Sequence, residues 1–465
     1  MPDLVRAARI AACLVFVTAC ATVRDARDAQ DPANAVPGER TPTAAEAGLP
    51  TRGPLKLADA LGAALRVHPS ILQARRDEEA AAARTGAAEG ALLPDLSASA
   101  SKQYRNQRAG ELPSSKEEHR FQSYGFQVSW LIFDFDRTPA AARQAAAQWL
   151  AAQADARGAE VDVAFGVRSA YITLLKRLRL VEVARDAVAQ YQEHLDQVRE
   201  FVRVGTRIPF DETKAAVDVG NAQLTLVQVE DSVLSSQAEL ANAIGLAETT
   251  DWVVTSTDEP PPPTPEFEAC WAEARRSRPA LAAAEARERA ASELVNARIA
   301  ALYPQLNLGF GWSASGASSP FPWSWQVGPS ASWVPFDGFQ NLYSIDEAAA
   351  NLRSVRASRA AVEQQSWLDV RNAWIGIVDA RRRLELTALV IRSAEENVRV
   401  AQGRFDVQKA TAVELTDARQ SLNQARADDV QARGDLDLAT ARLEQAMGTA
   451  ARGPRVGDPA PGGNR

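Results

Sequence analysis

The chain has 465 residues, a formal net charge of −7 and a pI near 5.4. An acidic net charge argues against a surface that binds the phosphates of nucleic acid. Three cysteines are too few for a disulfide framework.

The first twenty residues have the pattern of a bacterial export signal. Arg6 and Arg9 precede an apolar run that is too short to span a bilayer. The run ends in V-T-A-C, which resembles a bacterial lipobox. We therefore predict that residues 1–19 are a signal peptide and that Cys20 is acylated. Acylation would supply two acyl chains, which suffice for stable anchoring in a membrane. The alternative is an ordinary signal peptide cleaved near Ala21.

Composition divides the rest of the chain into segments. Residues 20–54 are rich in Ala, Pro, Asp and Thr and poor in large apolar side chains, which predicts a flexible tether. Residues 255–265 contain four consecutive prolines and predict a second linker. Residues 452–465 are expected to be a disordered tail. Two long segments remain, at 55–254 and 266–451.

These two segments repeat one another. The sequence VRSAYITLL at 167–175 returns as VRNAWIGIV at 370–378, and Phe-Asp at 133–134 returns at 336–337, in each case 203 residues later. A duplicated half-chain predicts the same structural elements in the same order in both halves.

Each half contains one stretch in which apolar and polar residues alternate. The alternation predicts β-hairpins at about 94–134 and about 304–337, with polar loops at 105–118 and 315–320. Strands of about ten residues with one apolar, aromatic-rich face are typical of transmembrane β-barrels. The predicted lipid-facing side chains are Tyr124, Phe126, Trp130, Phe310, Trp312, Trp323, Trp325 and Trp333.

Four strands are too few to close a barrel, since the smallest barrels have about eight. If the strands span a membrane, several copies of the chain must pool them. The alternative is a half-buried sheet in a soluble β domain.

Long helical hairpins follow each pair of strands, at about 138–247 and about 338–448. Apolar residues recur every seven positions, among them Val167, Leu174 and Leu195 in the first hairpin and Phe405 in the second. The second seam of the later helix consists of small residues. The helices are expected to turn back near 204–207 and 409–411. An ordinary antiparallel coiled coil is the alternative. Cys270 stands alone in a helical stretch and is expected to be a packed thiol.

This combination of hairpin, long helix, turn and return helix, duplicated behind a lipobox, resembles the TolC family of outer-membrane efflux proteins, specifically its lipoprotein type. The resemblance implies a mainly α fold with β: coiled-coil hairpins forming a periplasmic barrel, and four strands per chain contributing to a trimeric, 12-stranded transmembrane β-barrel. It also implies a homotrimer that docks to a periplasmic membrane-fusion adaptor and to an inner-membrane transporter of the RND or ABC type.

The resemblance carries over to the two tip turns. The first turn has the family sequence V-G-T-R at Val204, Gly205, Thr206 and Arg207, which are the candidate adaptor contacts. The resemblance also implies that the periplasmic end of the tunnel is a closed gate that the adaptor opens, with its candidate residues at and after the turns. At the second tip the candidate Phe405 is the family's aromatic residue without a hydroxyl group. Candidates for the role of the family's arginine there are Lys409 and Arg404, since Ala410 stands at its position.

Acidic residues follow both turns. Glu414 and Asp417 fall where the family has a ring of carboxylates, and Asp211 is the repeat mate of Glu414. Six carboxylates around a narrow mouth would attract cations, so we hypothesise a cation-selective constriction. The alternative is that these acids stabilise helix N-termini through the helix dipole.

The sequence lacks the motifs of an enzyme, a cofactor site or a metal site. We therefore expect no enzymatic activity and no cofactor. The predicted function is an outer-membrane exit duct of a tripartite efflux pump, anchored by lipid in the outer membrane and extending into the periplasm. The alternatives are the outer-membrane component of a type I protein-secretion system and a periplasmic coiled-coil scaffold that forms no channel.

Overall fold

The computed structural model describes Ala26, Gln30 and residues 40–106, 118–248, 251–255, 264–316, 319–407 and 409–451. The elements of these residues, in chain order, are β1 (Arg52–Leu55), α1 (Leu57–Val67), α2 (Pro69–Gly90), β2 (Asp95–Asn106), β3 (Glu118–Phe133), α3 (Arg137–Arg203), α4 (Pro209–Ile244), β4 (Asp251–Val254), α5 (Phe267–Ser277), α6 (Pro279–Ala300), β5 (Gln305–Gly316), β6 (Trp323–Ser332), α7 (Gln340–Asp406) and α8 (Ala412–Met447).

Helix lengths repeat between the two halves. The long helices α3 and α7 have 67 residues each, and the return helices α4 and α8 have 36 each. The short helices also match, with 11 residues in α1 and α5 and 22 in α2 and α6. Each half therefore has the predicted order of helices, β-hairpin and helical hairpin. None of the described helices has an apolar stretch long enough to cross a bilayer.

The chain divides into two compact units. The strand unit comprises Ala74–Gly158 and Arg275–Asp369, and the hairpin unit comprises the described parts of Met1–Gln73, Ala159–Ala274 and Val370–Arg465. The strand unit contains one antiparallel sheet in the order β2-β3-β5-β6. The hairpin unit contains a parallel pair formed by β1 and β4.

The repeated Phe-Asp motif lies at the transition from strand to helix in both copies. The Asp134 carboxylate accepts a hydrogen bond from the N–H of Thr138 at 2.7 Å, and Asp337 accepts one from Asn341 at 3.0 Å. These bonds satisfy N–H groups of the first turns of α3 and α7, which have no partner within the helix.

The predicted heptads form the core of the helical hairpins. In α3 the buried positions include Val167, Leu174 and Leu195. The small-residue seam of α7 is also largely buried, with Ala373 and Ala380 among its members. Small side chains let neighbouring helix backbones approach closely, which explains the high alanine content of these helices. Cys270 is buried in the same hairpin unit, as predicted.

The predicted tether at 20–54 is wrong for residues 40–54. Ala44 and Leu49 are buried in the core around Trp252, and β1 pairs with β4. The prediction counted large apolar side chains, but the segment packs through small ones and through backbone hydrogen bonds. Apart from Ala26 and Gln30, residues 20–39 lie outside the described residues, as do residues 1–19, residues 256–263 of the linker and the tail at 452–465.

The first β-hairpin loop is shorter than predicted, and in the second hairpin β5 extends into the predicted loop. Asn106 pairs with Glu118 at the end of the first hairpin, and β5 continues to Gly316 in the second. The prediction ended each strand at the first run of polar side chains. Ladder pairing depends on the backbone, so the strands continue past that point.

Candidate channel wall and hairpin tips

The strand sheet has one apolar and one polar face, and the register keeps the faces aligned across all four strands. Phe126 lies opposite Trp312, and Trp312 lies opposite Trp325. On the other face, the hydroxyl oxygens of Ser101 and Ser123 are 2.8 Å apart. A sheet with these two faces can separate an apolar phase from water.

The predicted lipid-facing aromatic residues lie together on the apolar face. Tyr124, Phe126 and Trp130 are on β3, Phe310 and Trp312 on β5, and Trp323 and Trp325 on β6. Each of these side chains is exposed in the single chain. Trp333 is also exposed but lies one residue beyond the end of β6. Its indole N–H donates to the Leu302 carbonyl at 3.0 Å, as Trp130 does to Leu92 at 3.1 Å in the other repeat.

Both edges of the sheet are open. β2 and β6 stand at the ends of the strand order, and among the described strands neither has a second neighbour. An edge strand presents unpaired N–H and C=O groups. Within a bilayer such groups must be paired, because lipid offers them no hydrogen bonds.

At the first tip, local sequence determines the turn. α3 ends at Arg203, and Gly205 adopts a left-handed conformation with φ of 82°. Its N–H donates to the Val202 carbonyl at 3.0 Å, and the N–H of Thr206 donates to Phe201 at 2.9 Å. Glycine tolerates this conformation, so α3 can end there in a compact cap.

At the second tip, the turn leads into a capped helix. Thr411 precedes α8, and its hydroxyl accepts a hydrogen bond from the N–H of Glu414 at 3.2 Å. Residue 408 lies outside the described residues. The pair Thr411 and Glu414 has the spacing of a capping box, which stabilises the start of a helix.

Phe405 lies in the core of the tip. Its side chain is 1% exposed and packs with Val198, Leu415 and Ala418. It was predicted both as a heptad position and as a gate residue. The structure places it at the heptad position, where its ring is enclosed and faces no solvent.

Arg207 joins the two tip turns. Its guanidinium carbon is 4.4 Å from the centroid of the Phe405 ring, and Nη2 donates to the Ala410 carbonyl at 3.4 Å. A carboxylate oxygen of Asp211 lies 3.9 Å from Nη1. The Arg207 side chain therefore points into the tip, towards the second turn, and away from solvent. Of the other candidate adaptor contacts, Val204 and Thr206 are exposed.

The acidic candidates differ in their surroundings. Glu414 is exposed and lies 3.5 Å from Arg404, while Asp417 is exposed one helical turn later. Asp211 lies in the first turn of α4, and its side chain is mostly covered. For Glu414 and Asp211 the geometry therefore supports the alternative role, in which these acids stabilise the N-termini of their helices. Lys409 is exposed and its N–H donates to the Arg404 carbonyl at 2.7 Å.

A buried polar layer next to the tip was not predicted from the sequence. His194 is 1% exposed, and neither ring nitrogen has a hydrogen-bond partner in the described part of the chain. Nearby, Arg419 donates to the Gln190 carbonyl at 3.2 Å and to the Gln402 side chain at 2.8 Å. Burial, with the positive charges of Arg419 and Arg207, lowers the pKa of His194 to about 4.

Acidification is expected to destabilise the tip through His194. Because folding lowers the pKa of this imidazole from 6.5 to about 4, the unfolded chain binds the proton more tightly. The stability that is present above pH 6.5 is therefore lost as the pH falls from 6.5 towards 4, at about 1.4 kcal/mol per pH unit. Thermal unfolding of the wild-type protein and of His194→Leu should show the smaller pH dependence in the variant. An identical pH dependence in the two proteins would contradict the assignment.

The fold and these sites define a class of channel-type outer-membrane protein, and comparison with known proteins identifies the family. The family model described as "Outer membrane efflux protein" matches residues 60–246 and 271–449. The chain belongs to this family, which confirms the resemblance to TolC-family efflux proteins.

Two relatives are similar to the chain in sequence, and one solved structure is similar to it in fold. The chain is 32% identical over 210 residues to the outer membrane efflux protein BepC of Brucella suis biovar 1, a match that spans 45% of this chain and 44% of BepC. It is 24% identical over 373 residues to the outer membrane protein OprJ of Pseudomonas aeruginosa, covering 77% and 76% of the two chains. A membrane protein from Pseudomonas aeruginosa has the same fold, with a TM-score of 0.76, 21% identity, and coverage of 84% of this chain and 93% of its own.

Proposed function

We propose that three copies of this chain form an outer-membrane duct that passively conducts efflux substrates from a periplasmic pump complex to the exterior. The observation that carries this proposal is the four-stranded sheet with an aromatic apolar face, a polar face and two open edges. Such a sheet is an incomplete barrel wall. Pairing β6 of one copy with β2 of the next would complete it.

Barrel geometry favours three copies over two. Two chains would supply eight strands, and the interior of an eight-stranded barrel is just wide enough for side chains to fill. Three chains would supply twelve strands and leave a water-filled lumen. The polar face supports such a lumen, because it is lined partly by glycines that add no bulk, including Gly125, Gly309 and Gly311.

The return helix α4 and the long helix α7 also have apolar side chains that nothing in the described chain covers. On α4 these are Val217, Leu224 and Leu234, and on α7 they are Leu386, Leu389 and Val390. Exposed apolar rows at helical spacing are typical of surfaces that bind another protein. We assign them to contacts between neighbouring copies in the helical wall.

The partners proposed for the tips are a periplasmic membrane-fusion adaptor and, through it, an inner-membrane transporter. Exposed apolar side chains lie at both turns, namely Val204, Ile208 and Phe210 at the first and Val407 at the second. Because these side chains are small in number and close to polar residues, they suit a docking contact that forms and breaks. Acylation of Cys20 would add a membrane anchor.

Stoichiometry tests the assembly. Light scattering of the purified full-length protein in mild detergent, corrected for bound detergent, should give the mass of three chains. A variant with Leu224→Glu and Leu389→Glu should shift the protein towards monomers. Glu230→Gln should leave the trimer intact, because Glu230 on α4 pairs with Arg185 of the same hairpin. A monomeric wild-type protein would contradict the proposal.

We further propose that Glu414 and Asp417 make the tunnel mouth selective for cations. Replacing them with Gln and Asn removes six charges from a trimer while retaining the helix cap, because glutamine also serves in a capping box. Single-channel recordings of Glu414→Gln with Asp417→Asn should show a lower preference for cations than the wild type.

Asp428→Asn is the matched control for the acidic mouth. Asp428 is exposed on the same helix as Asp417 and borders the same groove, but it lies three turns farther from the tip. We expect its effect on cation preference to be small. Unchanged selectivity in the double variant would exclude the ring and leave these acids as helix N-terminal residues.

A further inference from the structure

The turns at the two hairpin tips are linked within one chain by Arg207. This residue belongs to the turn between α3 and α4, whereas Phe405 and Ala410 belong to the end of α7 and the following turn. The guanidinium lies over the Phe405 ring and its Nη2 donates to the Ala410 carbonyl. The Arg207 side chain is only 17% exposed, so water competes weakly with these contacts.

The Phe405 ring is enclosed by the first hairpin on more than one side. His194, on α3, meets it edge-on with the ring centroids 5.4 Å apart. Arg207 meets it with its guanidinium carbon 4.4 Å from the centroid. An arginine over an aromatic ring is attracted by the ring's negative face, and more strongly where water is partly excluded.

Among the described residues, the other ion pairs at the turns stay within one hairpin. Arg203 pairs with Glu200 on its own helix, and Arg404 pairs with Glu414 within the second hairpin. Farther from the turns the two hairpins are also joined, for example where Thr416 donates to Asp218 at 3.2 Å. Arg207 therefore links the turns at the ends of the hairpins, whereas contacts such as Thr416 with Asp218 link the helices farther from the turns.

We propose that Arg207 is a clamp that couples the two hairpin tips of one protomer, so that the second tip separates from the first only when the guanidinium leaves the Phe405 ring. The repeat mate of Arg207 is Ala410, so the clamp has one arginine, supplied by the first repeat. Asp211, 3.9 Å away in the same hairpin, helps to orient the guanidinium. That the clamp closes the tunnel rests on the proposed function, whereas the coupling of the tips does not.

Hydrogen exchange of residues 401–418 tests the coupling directly. In the full-length protein, Arg207→Ala should speed exchange in this segment of the other hairpin about tenfold, the ratio expected for loss of a partly buried cation–π contact. Arg203→Ala is the matched control, because Arg203 is 77% exposed and its partner lies on the same helix. We expect no change in the second tip for this control.

Three further variants separate a clamp from a general loss of structure. Phe405→Leu keeps an apolar side chain but removes the ring, and should also speed exchange. Adding Arg207→Ala to it should then have little further effect. Arg207→Lys keeps the charge without the planar guanidinium and should be intermediate. Unchanged exchange in Arg207→Ala, or fully additive effects in the double variant, would overturn the clamp.

Conductance in planar bilayers distinguishes the clamp from the duct. If the clamp closes a tunnel, Arg207→Ala should conduct more than the wild type and Arg203→Ala should not. Faster exchange without conductance in any protein would leave the clamp in place and contradict the proposed duct. A conducting wild-type protein with unchanged exchange in Arg207→Ala would contradict the clamp alone.

Discussion

Replacing Trp252 by alanine is expected to cost about 3–5 kcal/mol of stability, the range for removing a large aromatic side chain from a core. Trp252 is 0% exposed and packs in the core that includes Leu55, Tyr171 and Ile244. Its indole N–H also donates to the Pro50 carbonyl at 2.6 Å. The loss should release residues 40–55, so trypsin should cleave after Arg52 faster than in the wild type.

Two further variants serve as controls for Trp252→Ala, one on the same strand and one at the same position. Val253→Ala changes a side chain that is 56% exposed on the same strand, and its effect should stay within about 0.5 kcal/mol. Trp252→Phe keeps most of the bulk and should fall between the two. Thermal unfolding measures the order. Equal melting temperatures for Trp252→Ala and Val253→Ala would contradict the assigned core.

Replacing Phe310 by arginine is expected to prevent insertion of the strands. Phe310 lies midway along β5 on the apolar face, next to Phe126 with ring centroids 6.4 Å apart. An arginine facing lipid near the bilayer centre costs about 2–4 kcal/mol. Each trimer would contain three such sites. The heat-modifiable band of the folded protein should therefore be lost when the variant is refolded into lipid vesicles.

Gln127→Arg is the matched control on the opposite face. Gln127 is exposed on the polar face, where it lies opposite Gly311. The same charge placed there should allow folding and should shift ion selectivity towards anions, because it would face water inside the proposed lumen. If Gln127→Arg blocks folding and Phe310→Arg does not, the two faces of the sheet have been assigned the wrong way round.

Periodic features of this fold could be predicted from the sequence. Alternation placed Phe310 and Trp312 on one face, and the heptads placed Val167 and Leu174 in the core. Both signals are local, since each depends only on the spacing of side chains along one element. The duplication strengthened them, because each pattern could be read twice.

The β1 and β4 pair could not be predicted in the same way. Each strand has four residues, too few for a clear alternation, and the partners lie about 200 residues apart in the sequence. What orders residues 40–54 is the core around Trp252, to which they contribute small side chains such as Ala44. Composition alone favours a tether because it cannot register a distant partner.

The tip illustrates a second limit. The heptad correctly included Phe405, while the family resemblance proposed the same residue for the gate. His194 and Arg419 carried no pattern in the sequence, because their burial arises only when helices from both repeats meet. The role of Arg207 likewise depends on a contact between residues about 200 positions apart.

Ionic conductance of the purified full-length protein in planar bilayers tests the central claim most directly. The account predicts long-lived current steps of uniform size from the wild-type trimer, and none from Phe310→Arg handled in the same way. A protein that folds and inserts into lipid but passes no current, both as the wild type and as Arg207→Ala, would contradict it.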